Sequence, residues 1–179
     1  MRIKTLTMDC DKCDLMKVAD NNKFICHWGK GEAKNKVVIA YDTMWSSTEK
    51  MARAMAEGIS STGVEVKLYN LTQTCKSDVI KEVLDAKAVL VGSPTLNNGM
   101  FPTVAAFLCY LKGLKPKNKI GAAFGSYGWA GGAVKQAQQE LELAGVEIID
   151  SGLNFKFVPD KSEIDQCVQF GEELVQLIK

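Results

Sequence analysis

The chain has 179 residues, 46% of them hydrophobic and 24% charged, and its 22 basic and 21 acidic side chains leave a formal net charge of +1. This composition excludes a disordered, collagen-like or coiled-coil chain and fits one domain with a short additional segment. The balanced charge argues against nucleic acid or an anionic membrane as partner, no apolar run is long enough to span a bilayer, and the first ten residues lack the apolar core of a signal peptide, so we expect a cytoplasmic protein.

The first 35 residues are predicted to be a small unit that is rich in cysteine. Cys10 and Cys13 are separated by two residues, and Cys26 is followed directly by His27. A Cys-x2-Cys turn places two thiolates on one metal ion, and a second pair completes a set of four ligands. The segment holds few large apolar side chains, so a metal would also supply stability that it lacks. We predict a Cys3His site for one iron or zinc ion; the alternative is that three cysteines are too few and no metal binds.

The remaining residues, 36–179, are predicted to form a second domain in which strands alternate with helices. Five strands and five helices in strict alternation favour an α/β fold, a doubly wound five-stranded parallel sheet with the order 2-1-3-4-5. The predicted strands are 37–41, 64–68, 88–91, 120–124 and one within 146–157 that is interrupted near Ser151 and Gly152, and the predicted helices are 47–61, 77–85, 103–111, 130–144 and 161–178.

Local signals mark the ends of several of these elements. Residues 37–41 are continuously apolar, as expected for a strand that is covered on both faces. Gly63 stands where a residue in the left-handed region ends the first helix. Asp160, with Glu163 three residues later, predicts a capping box at the start of the last helix.

The loop after the first strand is predicted to bind a phosphate group. It contains four hydroxyl side chains directly before a helix, where free backbone amides and the positive end of the helix attract anions. It has no lysine of the P-loop kind and the chain has no Gly-x-Gly-x-x-Gly pattern, so a phosphate monoester such as that of FMN fits better than a dinucleotide. The alternative is that Ser46 only caps the helix, with Glu49 as its partner. The predicted contacts are Thr43, Met44, Trp45, Ser46, Ser47 and Thr48.

The loops after the third and fourth strands are predicted to hold a flat ring. All three loops leave the carboxyl edge of the sheet, where ligands of this fold bind. Glycines let the backbone approach a ring closely, and tyrosine and tryptophan offer stacking faces. We also expect the Asn98–Gly99 peptide to adopt a conformation closed to most residue pairs and to turn toward a flavin nitrogen. The predicted contacts are Ser93, Pro94, Thr95, Leu96, Asn97, Asn98, Gly99, Ser126, Tyr127, Gly128, Trp129, Ala130 and Gly131.

Residues 37–179 resemble the flavodoxin domain of flavodiiron proteins. The similarity is carried by Tyr41-Asp42-Thr43-Met44, by Ser46 to Thr48, by the stretch from Gly92 to Asn98 and by the stretch from Gly125 to Ala133. The resemblance implies a flavodoxin-like fold and FMN as cofactor, with the phosphate on Thr43, Ser46, Ser47 and Thr48. It also implies that the ribityl chain and the ring lie against Thr95 to Asn98 and Ser126 to Gly131.

The cysteine segment resembles desulforedoxin, a short chain with a Cys-x2-Cys turn and an adjacent cysteine pair, of which His27 would replace the last. Flavodiiron proteins have in addition a diiron domain with several histidine ligands, whereas this chain has one histidine in total. Reduction of dioxygen or nitric oxide is therefore not expected of this chain alone. If iron binds, the metal and the flavin would form a two-centre relay; if zinc binds, the segment would be a structural or docking element.

Our leading hypothesis is an FMN-dependent electron-transfer protein, because the three loops contain no catalytic acid–base set and FMN itself carries redox chemistry. The expected partners are redox proteins of the rubredoxin or ferredoxin type, or a reductase, and the resemblance implies a homodimer. The alternative is an FMN-dependent reductase that passes electrons from NAD(P)H to a quinone. A non-redox binding module is the third possibility.

Overall fold

The computed structural model describes residues 33–178. Its strands all pair in parallel in the order β2-β1-β3-β4-β5, with β6 also on β4, which confirms the predicted doubly wound sheet. The strands are β1 (Lys34–Tyr41), β2 (Glu65–Asn70), β3 (Ala86–Gly92), β4 (Ile120–Tyr127), β5 (Glu147–Ile148) and β6 (Leu153–Lys156). The helices are α1 (Ser47–Ser61), α2 (Lys76–Leu84), α3 (Pro102–Leu114), α4 (Ala133–Leu143) and α5 (Lys161–Ile178).

Helices cover both faces of the sheet and divide the core into two layers. In β1 the side chains alternate, so that Val37 and Ile39 pack in the layer of α1 and α5, while Val38 and Ala40 pack in the layer of α2, α3 and α4. Because both faces are buried, the strand reads as a continuous apolar run. None of the helices in the described range combines the length and the apolarity that a membrane crossing requires.

The last predicted strand is divided as the sequence indicated. β5 pairs with the start of β4, and β6 pairs with its end from Phe124 to Tyr127. Gly152 lies between them with φ of 86°, and a Cβ there would stand 2.6 Å from the carbonyl oxygen of Ala123. A glycine is needed at this turn because other residues rarely adopt that φ and would also clash.

Three element ends can be compared with the predictions. The capping box at α5 is confirmed, because the Glu163 amide donates to Asp160 Oδ1 and the Asp160 amide donates to Glu163 Oε2, both at 2.9 Å. α4 begins at Ala133 rather than at residue 130. β1 begins at Lys34 rather than at residue 37, because the Lys34 amide donates to the carbonyl of Asp85 at 2.7 Å.

A group of charged side chains closes the amino edge of the sheet. The buried Lys36 ammonium donates to Asp85 and, at 2.9 Å, to Glu82, while Lys34 pairs with Asp85 at 2.8 Å. Burial opposes the charge of Lys36, but the two carboxylate partners raise its pKa above the usual value. Lys119 is 3% exposed and donates to the carbonyl of Leu84, and burial lowers the pKa of Lys119 to about 8.

Candidate functional site

The three predicted loops lie side by side at the carboxyl edge of the sheet. Tyr41 is opposite Gly92, so β1 and β3 end at the same level; Gly92 is opposite Phe124, and β4 continues for three more residues to Tyr127. The loops surround a cavity of about 420 Å³, which is within the usual range for small-molecule sites. Its lining consists of Thr43, Met44, Trp45, Ser47, Pro94, Thr95, Asn97, Asn98, Phe101, Ser126, Tyr127, Gly128, Trp129, Ala130 and Phe157.

The loop before α1 presents a buried hydroxyl group, that of Thr43, which the described residues do not satisfy. Thr43 Oγ1 is buried and has no hydrogen-bond partner in residues 33–178. Ser46 stands at the start of α1 with φ of 61° and makes no side-chain capping bond, and Glu49 accepts from Arg53 instead. The alternative reading of Ser46 and Glu49 as a capping pair is therefore wrong. A buried polar atom without a partner is costly, and a bound anion would remove that cost.

The loop after β3 forms a tight hairpin next to the cavity. Leu96 and Gly99 exchange two backbone hydrogen bonds of 2.9 Å, and the residues between them, Asn97 and Asn98, have φ of 49° and 61°. Two successive residues at positive φ are typical of a type I′ turn. The unusual conformation thus lies on Asn97–Asn98 rather than on the predicted Asn98–Gly99 pair.

Backbone packing fixes this hairpin against the loop after β4. A Cβ on Gly132 would stand 2.1 Å from the carbonyl oxygen of Asn98, so the two backbones are in direct contact. Thr95 Oγ1 accepts long hydrogen bonds of 3.4 Å from the amides of Gly132 and Ala133, at the start of α4. These contacts explain why α4 begins later than predicted, since residues 130–132 belong to the loop and Gly132 packs against the hairpin instead of starting the helix.

Large aromatic side chains rim the cavity and remain open to solvent. Trp129 is 96% exposed and Trp45 80% exposed, and Met44 and Phe157 are about half exposed. The Lys156 ammonium lies 5.1 Å from the centroid of the Phe157 ring. Exposed aromatic surface of this extent is unusual for side chains without a binding role and provides faces on which a planar ring can stack.

Six of the predicted contact residues do not line the cavity. Ser93 is buried, and its hydroxyl donates to the Pro94 carbonyl and accepts from the Phe101 amide, both at 2.9 Å. Thr48 is also buried, with Oγ1 3.4 Å from Ser126 Oγ. The six are Ser46, Thr48, Ser93, Leu96, Gly99 and Gly131.

Two lining residues were not predicted, Phe101 and Phe157. Phe157 follows β6, whose carboxyl end also reaches this edge, and attention to the last strand end could have found it. The proposed metal ligands Cys10, Cys13, Cys26 and His27 lie outside the described residues. Within residues 33–178, no group of three or more His, Cys, Asp or Glu side chains is arranged to hold a metal ion.

The lining offers neutral hydrogen-bonding groups beside flat apolar faces. Its side chains are hydroxyls, amides, aliphatic groups and aromatic rings, and none of the lining residues is charged. Hydroxyls ahead of a helix suit a phosphate monoester, and the aromatic rim with the glycine-rich backbone suits a flat ring. FMN combines these two parts, and the residues present fit it.

Comparison with known proteins gives a family and several relatives. A family model described as flavodoxin matches residues 39–171. Nitric oxide reductase of Moorella thermoacetica is 49% identical over 152 residues, which are 84% of this chain and 38% of that protein. The structure of rubredoxin oxygen:oxidoreductase from Desulfovibrio gigas superposes with a TM-score of 0.82 at 41% identity, over 86% of this chain and 38% of the other.

A third similar structure is a flavodoxin from the domain Archaea, with a TM-score of 0.72 and 30% identity over 80% of this chain and 98% of that one. The chain spans less than two fifths of the length of the nitric oxide reductase and of the oxidoreductase. It covers nearly all of the archaeal flavodoxin. The similarity to the longer proteins is thus confined to one part of them.

Proposed function

Because this chain belongs to the flavodoxin family, we propose that it binds FMN in the cavity at the carboxyl edge of its sheet and transfers electrons to or from other redox proteins. Its longer relatives are flavodiiron proteins that match it over their flavodoxin-like part, and a flavodoxin-like domain implies FMN. The observation that carries the proposal is the buried Thr43 Oγ1, which lacks a partner in the described residues and lies beside an uncharged cavity with an aromatic rim.

Each part of the site has a proposed role toward FMN. Thr43 and Ser47 face the cavity, and together with Ser46 and Thr48 they would hold the phosphate through hydroxyl and amide donors at the start of α1. Asn97 and Asn98 and the backbone from Ser126 to Gly131 would hold the ribityl chain and the ring edge. FMN supplies the redox chemistry when bound, and the protein orients it and limits access of water to the ring.

A carrier function agrees with the uncharged lining of the cavity, which offers hydroxyl, amide and aromatic groups. The exposed faces of Trp45 and Trp129 favour one alternative, an FMN-dependent reductase, because they leave room for a second flat ring such as nicotinamide or a quinone. The two functions differ in one measurement. If the FMN-loaded chain oxidises NAD(P)H in steady state with a quinone as acceptor and without an added reductase, the reductase function is correct and the carrier function is wrong.

We extend the proposal to the cysteine segment. Cys10, Cys13, Cys26 and His27 would bind one iron or zinc ion, and with iron the two centres would exchange electrons. β1 starts at the amino edge, and its eight residues separate that edge from the cavity by about 23 Å. As the resemblance to flavodiiron proteins implies, we propose that the relay operates between two copies of the chain in a homodimer. Metal analysis of the purified full chain tests the ligand set.

The FMN site is tested by a threonine exchange that separates binding from folding. Thr43→Val keeps the shape of the side chain and removes a hydroxyl that has no partner among the described residues. We expect FMN to bind about 10-fold to 100-fold more weakly, the loss of one hydrogen bond to an anion, while the apoprotein unfolds at an unchanged or higher urea concentration.

Thr74→Val, in the loop after β2, is the matched control and should bind FMN like the unmodified chain. The readout is quenching of flavin fluorescence during titration of the apoprotein. If the unmodified chain does not bind FMN, or if Thr43→Val binds it equally well, the proposed site is wrong.

A further inference from the structure

Asp42, directly before the proposed phosphate loop, is a buried carboxylate with three neutral donors. The residue is 4% exposed. Its Oδ1 accepts hydrogen bonds from the Thr43 amide at 2.7 Å and from the Thr72 hydroxyl at 2.9 Å, and its Oδ2 accepts one from the Thr103 hydroxyl. Asp42 therefore joins the start of the phosphate loop to the loop after β2 and to the first turn of α3.

No basic side chain offsets this charge within the described part of the chain, where Asp42 takes part in no ion pair. A carboxylate behind an anion site repels the anion, so electrostatic attraction cannot explain its position. Hydrogen bonds to an ionised acceptor are short and strong, and three of them from three segments fix a backbone firmly. The geometry thus favours a role for Asp42 in fixing the conformation of the loop backbone.

The neighbour that this network holds is Thr43. Asp42 engages the amide of Thr43, so this amide is not available to a ligand. The hydroxyl of the same residue is buried, lacks a partner in residues 33–178 and belongs to the cavity lining. Fixing the amide on one side leaves the hydroxyl as the group that Thr43 offers to the cavity.

We propose that Asp42 is a positioning residue that orients Thr43 and thereby makes the site prefer the phosphorylated flavin, FMN, over riboflavin. This inference rests on the proposed function. Asp42 does not contact the ligand. It sets the direction of the hydroxyl that contacts the phosphate, and it does so through the Thr43 amide, with Thr72 and Thr103 holding the carboxylate in place.

The test compares the dissociation constants of FMN and riboflavin for the same apoprotein. Asp42→Ala should weaken FMN binding about tenfold or more, the effect of one misplaced hydrogen bond, and leave riboflavin affinity unchanged within about threefold. The dissociation constant of riboflavin divided by that of FMN should therefore fall about tenfold or more. Asp42→Asn retains an oxygen for the Thr43 amide and removes the charge, and it should keep the ratio of the unmodified chain or raise it. Asp78→Ala, an exposed aspartate in the first turn of α2, is the control.

If Asp42 had only a structural role, Asp42→Ala would weaken the binding of both flavins by the same factor. The ratio of dissociation constants would then stay unchanged, and that result would overturn the inference. If Asp42→Ala does not fold, Thr103→Val removes one support of the carboxylate and should lower the ratio about threefold or more, whereas Thr103→Ser should restore it. An unchanged ratio in Thr103→Val would equally overturn it. An unmodified chain that binds neither flavin refutes the proposed function instead, which distinguishes the two failures.

Discussion

Substitution of Gly132 tests how the loops after β3 and β4 are held together. A Cβ at this position would stand 2.1 Å from the carbonyl oxygen of Asn98, whereas real contacts of this kind are not shorter than 3.0 Å. The atom that blocks the side chain is backbone and cannot rotate away. Gly132→Ala must therefore move the Asn97–Asn98 turn away from α4 by about 1 Å. The φ of Gly132 is −152°, outside the left-handed region that favours glycine, so the argument rests on the contact with Asn98.

The magnitude follows from the size of this displacement. Inserting a methyl group into closely packed structure usually costs about 1–3 kcal/mol, and we expect the free energy of unfolding of the apoprotein to fall by that amount. Both asparagines line the cavity, so a shift of 1 Å should also weaken FMN binding about tenfold, which corresponds to about 1.4 kcal/mol.

Urea unfolding of the apoprotein and flavin fluorescence titration measure the two effects. Gly113→Ala in α3 is the matched control, because nothing lies within 4 Å of a Cβ there. It should leave FMN affinity unchanged and raise the free energy of unfolding by about 0.5–1 kcal/mol, the usual gain for alanine over glycine in a helix. If Gly132→Ala binds FMN as tightly as Gly113→Ala does, the reasoning about the turn is refuted.

Three further predictions concern the rest of the domain. Gly58→Ala should lower the free energy of unfolding by about 1–3 kcal/mol without changing FMN affinity, because its Cβ would meet the carbonyl of Val168 at 2.0 Å where α1 crosses α5; calorimetry with and without FMN checks this. Lys36→Met should cost about 3 kcal/mol in urea unfolding, since Asp85 loses its buried partner, and a loss below about 1 kcal/mol would contradict it. Burial lowers the pKa of Lys119 from its ordinary 10.5 to about 8 in the folded chain, so between these pH values the unfolded chain binds one more proton than the folded chain. The free energy of unfolding, compared with that of Lys119→Met, should therefore rise with pH over this window by up to about 3 kcal/mol. Equal pH profiles of the two proteins would exclude this effect.

Much of the fold could be predicted because its signals are local. The apolar run of β1 and the capping pair of Asp160 and Glu163 depend on residues close together in the chain, and both were predicted correctly. The start of β1 was not, because Lys34 and Lys36 look like linker residues in the sequence. Their place in the strand depends on Asp85, about fifty residues later.

The site was predicted as three loops but not in its details. The edge of the sheet follows from strand order, which brought Thr43, Asn98 and Tyr127 to one cavity. The conformation of Ser46 and the fixing of Asn98 by Gly132 depend on contacts between loops, which no periodicity reveals. The role of Asp42 has no local signal in the sequence, since Thr72 and Thr103 reach it from two distant segments.

Because the last strand is interrupted, β6 pairs with β4 separately from β5 and sets the position of the aromatic rim. β6 pairs independently with Phe124 to Tyr127, and Phe157 follows it at once, its amide donating to the Tyr127 carbonyl at 2.7 Å. A residue gained beside the exposed Ser151 would leave this pairing in place as long as Gly152 keeps its φ of 86° and its close approach to Ala123. The position of the aromatic rim thus depends on Gly152 and on the pairing of β6, and not on the exposed residues that precede the turn.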